Sequence, residues 1–467
     1  NSGATVIVDS LLNLQGKLIS NGKMTATVNK DFDSTEGAVQ AKSLQVAAGK
    51  LTNLNGQLVS QSGDLQLVAT DIINQGEKAY IQSGQNLIIE SKQLSNSDKA
   101  TVMAQGTATI TADDSLNNSS DAVIASNESM GINGGTLKND AQIASVNKDL
   151  TISATTVNNA SLGRLQAATD TTIDTKQSLN NQGLIATTKT LKVTTGGDLN
   201  NQTGTLSAAA IDLLSQQGIN NDSGLIIQSG TDEVLLVKSK GPLSNKNTNT
   251  PANSDKQLGI ITNGDVAITS GSLDNLSGLI AANNLTIDSS GNVGNKQGQL
   301  QATKQLTIKA TGNAVLDNQG GQIGANKVDL IIGDASSGRI NNNGVDSLIQ
   351  AATDLTLTTG TLSNQSTKQS ANSEKSQGIL AGNALAINAS TISNTGGQLL
   401  ANDKITIKAS NQLNNQSGTI NSQDIVISDS NTAGRGLVVA NSQGLINANK
   451  DLSITARGYS NAGGTIS

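Results

Sequence analysis

The chain lacks several residue types, and each absence excludes a kind of chemistry. Among its 467 residues there is no cysteine, no histidine and no tryptophan. Without cysteine the chain has neither a disulfide framework nor a thiolate metal site. Without histidine it has no Ser-His-Asp triad, no His-ligated zinc and no access to the commonest general base. We therefore expect no cofactor, no bound metal and no enzymatic activity.

The scarcity of aromatic residues and of proline constrains the fold. Aromatic side chains normally dominate core burial, but this chain has only one Phe and two Tyr, so its core has to be built from aliphatic residues. Pro occurs only as Pro242 and Pro251, whereas Gly occurs 48 times. Because Pro cannot donate a backbone hydrogen bond, many turns with almost no Pro indicate a backbone that is nearly all paired in sheets.

Charge and hydropathy exclude two further classes of protein. The formal net charge is -6, the pI is about 4.8, and Lys and Arg are scattered singly. The basic stripe of a nucleic-acid-binding protein is therefore missing. No apolar run reaches the roughly 18 residues of a membrane-spanning helix, and no signal peptide is visible. We expect no nucleic-acid partner and no membrane span, and we expect the true N-terminus to lie elsewhere because the sequence begins within a repeat.

The chain does contain a repeated phrase, which is an aliphatic residue, any residue and then Asn. Most of its spacings lie between 20 and 24 residues. Longer spacings separate Asn245 from Asn275, Asn364 from Asn394, and Asn415 from Asn441. We predict that the Asn residues stack as a structural ladder at one corner of successive coils, as Asn does in stacked in-register strands. The predicted members are Asn53, Asn96, Asn118, Asn139, Asn181, Asn201, Asn221, Asn245, Asn275, Asn318, Asn342, Asn364, Asn394 and Asn415, and the phrase also occurs at Asn159, Asn441 and Asn461.

Each repeat has a finer pattern that is typical of strands. A Gly usually follows the Asn by three residues, and an aliphatic residue follows that Gly by two, as in Gly278 and Ile280. A second stretch alternates apolar and polar residues and ends on a small one, as in Leu306, Ile308 and Ala310. Alternation with a period of two indicates a strand with one buried face. Each repeat is therefore predicted to be three short strands separated by turns, with Gly at corners that require a positive φ angle.

One repeat has too few aliphatic residues to enclose a core, so its apolar face has to be buried against other repeats. Equivalent strands of stacked repeats would pair in parallel at about 4.8 Å. The sequence thus predicts an all-β, right-handed parallel β-helix of about 20 coils, each of about 22 residues. Helical repeats are disfavoured because no 3.6-residue period occurs, and disorder is disfavoured by the regular placement of Leu and Ile.

The organisation along the chain is predicted to be simple. Residues 1–467 are expected to form a single repeat shaft that is cut within a coil at both ends. Two polar insertions, at about 246–257 and 365–377, each follow Leu-Ser-Asn, and they precede Leu-Gly-Ile and Gly-Ile respectively. Loops on a rigid scaffold often carry binding sites, and these two are either tolerated surface insertions or related binding loops on one face.

The repeat phrase resembles that of filamentous haemagglutinin. The resemblance is carried by Leu273-Asp-Asn-Leu-Ser-Gly-Leu-Ile-Ala-Ala-Asn-Asn-Leu-Thr-Ile287 and by Leu179-Asn-Asn-Gln-Gly-Leu-Ile-Ala186, and it extends over essentially the whole chain. It implies the β-helical shaft of a large exoprotein that a Gram-negative bacterium exports by two-partner secretion. Such shafts occur in adhesins and in the toxin-delivery proteins of contact-dependent growth inhibition, so both roles stay open.

The resemblance also sets the expectations for location and partners. It implies a secreted or cell-surface protein, associated with the outer membrane, that meets its outer-membrane transporter during export. Regions outside this segment would contact a host cell or a neighbouring bacterium, as in virulence or toxin delivery. We expect the segment itself to be a monomeric rod that holds an adhesive or receptor-binding tip away from the cell.

Some residues allow two other functions as alternatives. Polysaccharide-degrading β-helices use acidic clusters, so Asp113 and Asp114 are the candidate catalytic pair of a lyase or hydrolase. Their simpler interpretation is a pair of solvated turn residues, because sugar-cleaving clefts also favour aromatic residues and this chain has almost none. The other alternative is a glycan- or cell-binding module that uses the two insertions.

Overall fold

The computed structural model describes residues 3–251, 256–368, 376–431 and 435–467. The described residues contain 47 β-strands and no α-helix. The chain divides into two compact units, Asn1–Gln217 and Gly218–Ser467, and each is described by itself. The prediction of one uninterrupted shaft over 1–467 stays a prediction.

Parallel strands make up the first unit. Its alternating sequence gives strands that are buried at every second residue, for example at Leu87 and Ile89. The strands are Ala4–Val8, Leu11–Leu12, Lys17–Asp33, Ala38–Leu54, Gln57–Ser60, Leu65–Gln75, Tyr80–Ser83, Leu87–Ser97, Thr101–Ala104, Ala108–Asn118, Val123–Ser126, Met130–Asn139, Gln142–Ser145, Leu150–Asn159, Arg164–Ala167, Thr171–Thr175, Leu179–Asn181, Leu184–Thr187, Thr190–Thr195, Leu199–Asn200, Thr205–Ala208 and Ala210–Ser215.

The second unit repeats the same architecture. Pro242 begins a strand there, at a position where its missing N–H is tolerated. The strands are Ile219–Asn220, Leu225–Gln228, Leu235–Ser239, Pro242–Ser244, Gly259–Thr262, Val266–Ser270, Ser272–Asp274, Leu279–Ser289, Val293–Gly294, Gln299–Ala310, Val315–Asp317, Gln322–Ala325, Lys327–Ile332, Arg339–Asn341, Leu348–Ala351, Leu355–Ser363, Gly378–Ala381, Ala384–Ser393, Gln398–Ala401, Lys404–Asn414, Thr419–Asp429, Val438–Ala440, Leu445–Thr455, Gly458–Ser460 and Thr465–Ile466.

Each coil has three strand segments, which we name after their sequence. The glycine strand follows the corner Gly, as in Gln322–Ala325; the middle strand follows it, as in Lys327–Ile332; and the asparagine strand ends the coil, as in Arg339–Asn341. Some coils join two segments into one longer strand, such as Gln299–Ala310. Three strands per coil and about 21 turns make this an all-β parallel β-helix, consistent with the right-handed form that was predicted.

The register between coils brings identical kinds of side chain together. Leu306 and Ile308 pair with Leu285 and Ile287 of the preceding coil. In the following coil they pair with Val328 and Leu330. Because the strands run parallel and in register, most inward aliphatic residues lie over another one, whereas Thr171 lies between Leu150 and Leu191. The core is therefore a set of aliphatic stacks, and Leu306 and Ile308 have no exposed surface.

The corners between the glycine and middle strands explain the small residues of the pattern. Ser83 points inward at the end of its strand and is fully buried. Its hydroxyl donates to the Asn86 carbonyl oxygen at 2.6 Å and accepts from the Leu65 N–H at 3.1 Å. A small hydroxyl residue thus satisfies the backbone of the turn where the chain bends around the core.

We expect Ile308→Ala to lower the free energy of unfolding by about 2–5 kcal/mol, because it opens a cavity in a stack that cannot close around it. The neighbouring outward change Thr307→Ala is the matched control and should stay within about 0.5 kcal/mol. Urea unfolding followed by circular dichroism measures both. Equal losses in the two variants would contradict an inward-facing aliphatic core.

Candidate functional site

The asparagine strand buries both its aliphatic residue and its Asn on the same side. In the coil that ends at Asn318, Leu316 and Asn318 are two residues apart, so both point inward, and both have no exposed surface. A buried amide is costly unless it is hydrogen-bonded. The repeated phrase therefore requires a partner for each amide at this corner.

The side chain of Asn318 shows how that requirement is met. Its Nδ2 donates to Oδ1 of Asn342 in the following coil at 2.8 Å, to the Gly321 carbonyl oxygen at 3.0 Å and to the Leu348 carbonyl oxygen at 3.0 Å. Its Oδ1 accepts from Nδ2 of Asn295 in the preceding coil at 2.7 Å. One amide thus joins two neighbouring coils and closes its own turn.

The structure brings the fourteen predicted Asn residues into two such ladders, one in each unit, and their exposed fractions are all 0–1%. Nδ2–Oδ1 distances within the ladders are 2.7–2.9 Å. In the first unit the ladder comprises Asn53, Asn74, Asn96, Asn118, Asn139, Asn159, Asn181 and Asn201. In the second it comprises Asn221, Asn245, Asn275, Asn295, Asn318, Asn342, Asn364, Asn394, Asn415, Asn441 and Asn461.

Five of these members were not among the fourteen predicted ones; the phrase had been noted at Asn159, Asn441 and Asn461, and two members were missed altogether. Asn74 ends Ile72-Ile73-Asn74, and Asn295 ends Val293-Gly294-Asn295, so both carry the repeated phrase. A strict count of spacings would have found them, because Asn53 and Asn96 are two coils apart.

The ladder of the first unit starts with a weaker rung. Ser34 occupies the equivalent corner of an earlier coil, and its hydroxyl accepts from Nδ2 of Asn13 at 3.3 Å. Asn53 Oδ1 is buried and has no hydrogen-bond partner. A serine side chain is shorter than that of asparagine, so the Ser34 hydroxyl does not reach the Asn53 amide of the following coil.

The role of the corner Gly differs from what the sequence predicted. We expected Gly to supply a positive φ angle, but the left-handed residue is the one before it, such as Ser277 with φ 49° or Thr203 with φ 61°. At Gly278 a Cβ atom would lie 2.1 Å from the Asn245 carbonyl oxygen and 2.3 Å from Asn275 Oδ1. Gly is needed at this position because the ladder amide and the adjacent coil approach too closely for any side chain. The expectation holds at the left-handed position of other corners, which is occupied by Gly320, Gly396 and Gly463 with φ angles of 63°, 58° and 65°.

The two insertions leave the coil at this same corner. Where an ordinary coil has the Gly carbonyl, the first insertion places the Thr248 hydroxyl, which accepts from Asn245 Nδ2 at 3.4 Å and from the Leu279 N–H at 2.8 Å. Thr367 in the second insertion donates to Asn364 Oδ1 at 3.1 Å. Both Thr residues are almost completely buried. The Thr367 hydroxyl also accepts from the Gln398 N–H at 3.4 Å. In both insertions a threonine hydroxyl thus replaces a glycine carbonyl as the acceptor for the next glycine strand and lets the chain leave the corner.

The first residues of each insertion still follow the neighbouring coil. The Asn247 N–H donates to the Leu276 carbonyl oxygen at 3.0 Å, and the Lys368 N–H donates to that of Gly396 at 3.0 Å. Lys246 Nζ lies 3.5 Å from Asp222 Oδ2 and 3.8 Å from Asp274 Oδ2. Residues 252–255 and 369–375, which include the most similar parts of the two insertions, lie outside the described residues.

A third long corner explains the spacing between Asn415 and Asn441. It lies between a middle and an asparagine strand, and it is closed by the Asp429 carboxylate. That carboxylate accepts from the Leu437 N–H at 2.7 Å, from the Asn431 N–H at 2.9 Å and from the Gly436 N–H. These backbone hydrogen bonds lower the pKa of Asp429 below its usual value.

An equivalent corner of another coil is closed in the same way. The Asp334 carboxylate accepts from the hydroxyl and the N–H of Ser336, each at 2.7 Å, and from the Ser337 N–H at 2.8 Å. These hydrogen bonds lower the pKa of Asp334 to about 2. Asp334 and Asp429 therefore close turns, each by itself, whereas hydrogen bonds from Thr169 and Asp170 lower the pKa of Asp149.

The candidate catalytic pair, Asp113 and Asp114, does not close a corner in the way that Asp334 and Asp429 do. Asp113 and Asp114 are exposed, in a bulge of the strand Ala108–Asn118 where the register shifts. Across the described part of the chain, no group of three or more acidic, His or Cys residues could hold a metal ion. A shallow open groove runs past Tyr80, between Lys17 and Lys78, and burial raises the pKa of the Tyr80 phenol.

The fold and the corner define a class of protein, namely a repeat-built parallel β-solenoid whose coils are joined by buried amides. The haemagglutinin repeat model matches residues 1–35, 36–120, 252–297, 358–445 and 426–467, more than half of the chain. The chain belongs to the haemagglutinin repeat family. This family suggests an adhesin-like filamentous shaft, a structural role without catalysis, and a secreted or surface-associated location.

The other comparisons add no relative. No curated protein and no solved structure gives a significant match to the chain. Among the described residues, no helix is long and apolar enough to span a membrane.

We expect Asn318→Ala to destabilise the second unit by about 1–3 kcal/mol for each buried polar group that it leaves unpaired, beginning with Oδ1 of Asn342, which accepts from Asn318. The matched control is Asn341→Ala, at the half-buried neighbouring position outside the ladder, which should cost less than about 0.5 kcal/mol. Urea unfolding gives the two free energies, and amide hydrogen exchange at Gly321 and Leu348 shows whether the loss is local. Equal losses of unfolding free energy in the two variants would contradict a special role of the ladder in stability.

Proposed function

We propose that this chain is a rod segment of a large secreted surface exoprotein, and that it projects an adhesive or receptor-binding tip from a Gram-negative cell. In this proposal the exoprotein leaves the cell through a two-partner-secretion transporter. The observation that carries the proposal is the membership of the haemagglutinin repeat family, together with a core and a ladder that repeat in every coil. A repeat that stacks on a copy of itself lengthens the solenoid without adding a new kind of binding site.

The physical basis of such a role is stiffness. A ladder amide inside the second unit, such as Asn342, is fully buried and is hydrogen-bonded to the coils on both sides. In the second unit the stacks of Leu, Ile and Val pass from coil to coil, as at Leu330 and Leu357. Bending a coil away from its neighbour would break backbone, amide and apolar contacts together. That coupling suits a spacer that holds a distal domain at a fixed distance.

Shortening the proposed shaft by whole coils tests this function. Deleting 342–460 places Asn461 where Asn342 was and removes five ladder residues, so the corner and the register are kept. We expect the surface filament to shorten by about 24 Å, at about 4.8 Å for each coil. Cryo-electron tomography of cells that display the whole exoprotein measures the length, and adherence is measured on the same cells. Adherence should survive wherever the shorter reach still suffices.

The matched control keeps the number of coils. It replaces 246–258 with Leu-Ser-Gly, the ordinary corner sequence found at 276–278. We expect this variant to keep both the filament length and adherence. Complete loss of adherence in either variant, with the tip displayed normally, would show that the segment itself binds the target and would end the proposal of a passive spacer.

A further inference from the structure

One outer face of the second unit carries no charge. Glycine strands point their first and third residues outward, since the second and fourth face the core, as in Gln299, Leu300, Gln301 and Ala302. We call the outward set of the ten glycine strands from Leu225 to Asn447 the uncharged face. Its members are Leu225, Ile227, Gly259, Ile261, Leu279, Ala281, Gln299, Gln301, Gln322, Gly324, Leu348, Gln350, Gly378, Leu380, Gln398, Leu400, Thr419, Asn421, Leu445 and Asn447.

The other two faces of the same unit are different. The outward residues of its middle strands include Lys238, Asp288, Lys309, Asp329 and Lys408. Those of its asparagine strands include Asp274, Asp317 and Arg339. Because 14% of the whole chain is charged, a surface of twenty residues with no charge is a marked depletion. Depletion of charge is the compositional signal of the core of a protein interface.

The uncharged face also presents aliphatic residues in register. Ile261 pairs with Ile227 on one side and with Ala281 on the other. Leu380 pairs with Leu400 in the following coil. These side chains are half-buried by their neighbours and form an apolar surface that remains partly open to solvent, whereas Gly259, Gly378 and Gln398 of the same set are buried.

The polar members of the face are amides, which can pair with themselves. Gln301 Nε2 donates to Gln299 Oε1 at 3.0 Å, so the amide row already pairs within one copy. An amide carries both donors and acceptors, whereas a charged group carries only one sign. In a two-fold symmetric contact the same surface meets itself. A face built of aliphatic and amide groups is therefore self-complementary.

Net charge and area favour a second copy of the chain as the occupant. A net charge of -6 makes two copies repel each other on average, so they can approach best through a face without charge. Four residues span about 13 Å and ten strands about 48 Å, which gives about 600 Å² for each copy. The pair would bury about 1,200 Å², at the lower end of the range for specific interfaces.

We propose that two copies of this chain associate side by side through the uncharged face. The association uses one side of the second unit, and it departs from the monomer that the sequence led us to expect. It does not depend on the proposed function, because it concerns the isolated chain. Its charged faces would stay outside the contact and keep the pair soluble.

Analytical ultracentrifugation of the purified chain tests the proposal. The concentrations should extend to about 100 μM, because interfaces of this size can have a Kd in the micromolar range. We expect a monomer–dimer equilibrium that high salt does not weaken, because no ion pair holds the interface. Ile261→Lys with Leu380→Lys should raise the dissociation constant at least tenfold. The matched control, Ala267→Lys with Val426→Lys, adds the same charge to the middle-strand face and should leave it unchanged.

A second pair of variants guards against misfolding. Gln301→Glu with Gln322→Glu keeps the size of two outward side chains and should also weaken association, whereas Asn341→Asp with Asn388→Asp on the other faces should have little effect. Circular dichroism checks that each variant is folded. A wild-type chain that stays monomeric over the whole range would overturn the proposal. So would a dimer that the control pairs disrupt as strongly as the test pairs.

Discussion

A buried asparagine amide between neighbouring coils is the interaction on which the rest of the structure depends. Aliphatic residues alone would hold two parallel strands together, but a shift by two residues would still place apolar groups inward. The amide removes that freedom, because Oδ1 of Asn342 has to meet Nδ2 of Asn318. The same amide closes its own turn through the Gly321 carbonyl oxygen. Register and corner are therefore fixed by one side chain in each coil.

The corner chemistry also explains where the chain tolerates extra residues. An ordinary corner needs an acceptor for the ladder amide and room for the adjacent coil, which a Gly provides. Thr248 supplies the acceptor through its hydroxyl, so the backbone is free to leave the corner and return at Gly259. Asp429 closes another corner with its carboxylate. Long loops thus arise where one side chain can replace the backbone group that the fold requires.

The aliphatic core, the ladder and the small residues at the corners account for the main inward positions, so the outward residues are free to differ between faces. In the second unit, charge lies on the middle and asparagine strands, as at Lys309 and Asp317, and is missing from the glycine strands. A spacer needs only the inward pattern. The separation of charge between faces therefore calls for a second cause, and side-by-side pairing of two copies provides one.

The sequence by itself determined the fold class, because a period of two within short segments and a period of about 22 between them permit few other ways to bury Leu306 and Ile308. It also indicated which residues share the asparagine corner, although Asn74 and Asn295 were overlooked. Only the tertiary structure showed why Gly278 has to be Gly, since the atoms that exclude a side chain belong to Asn245 of another coil and to the Asn275 amide. It alone revealed the uncharged face, whose members are about 20 or more residues apart in sequence and become neighbours only when equivalent strands pair. Local patterns reveal which side of a strand is buried, but contacts between coils depend on the register, and the register exists only in the folded chain.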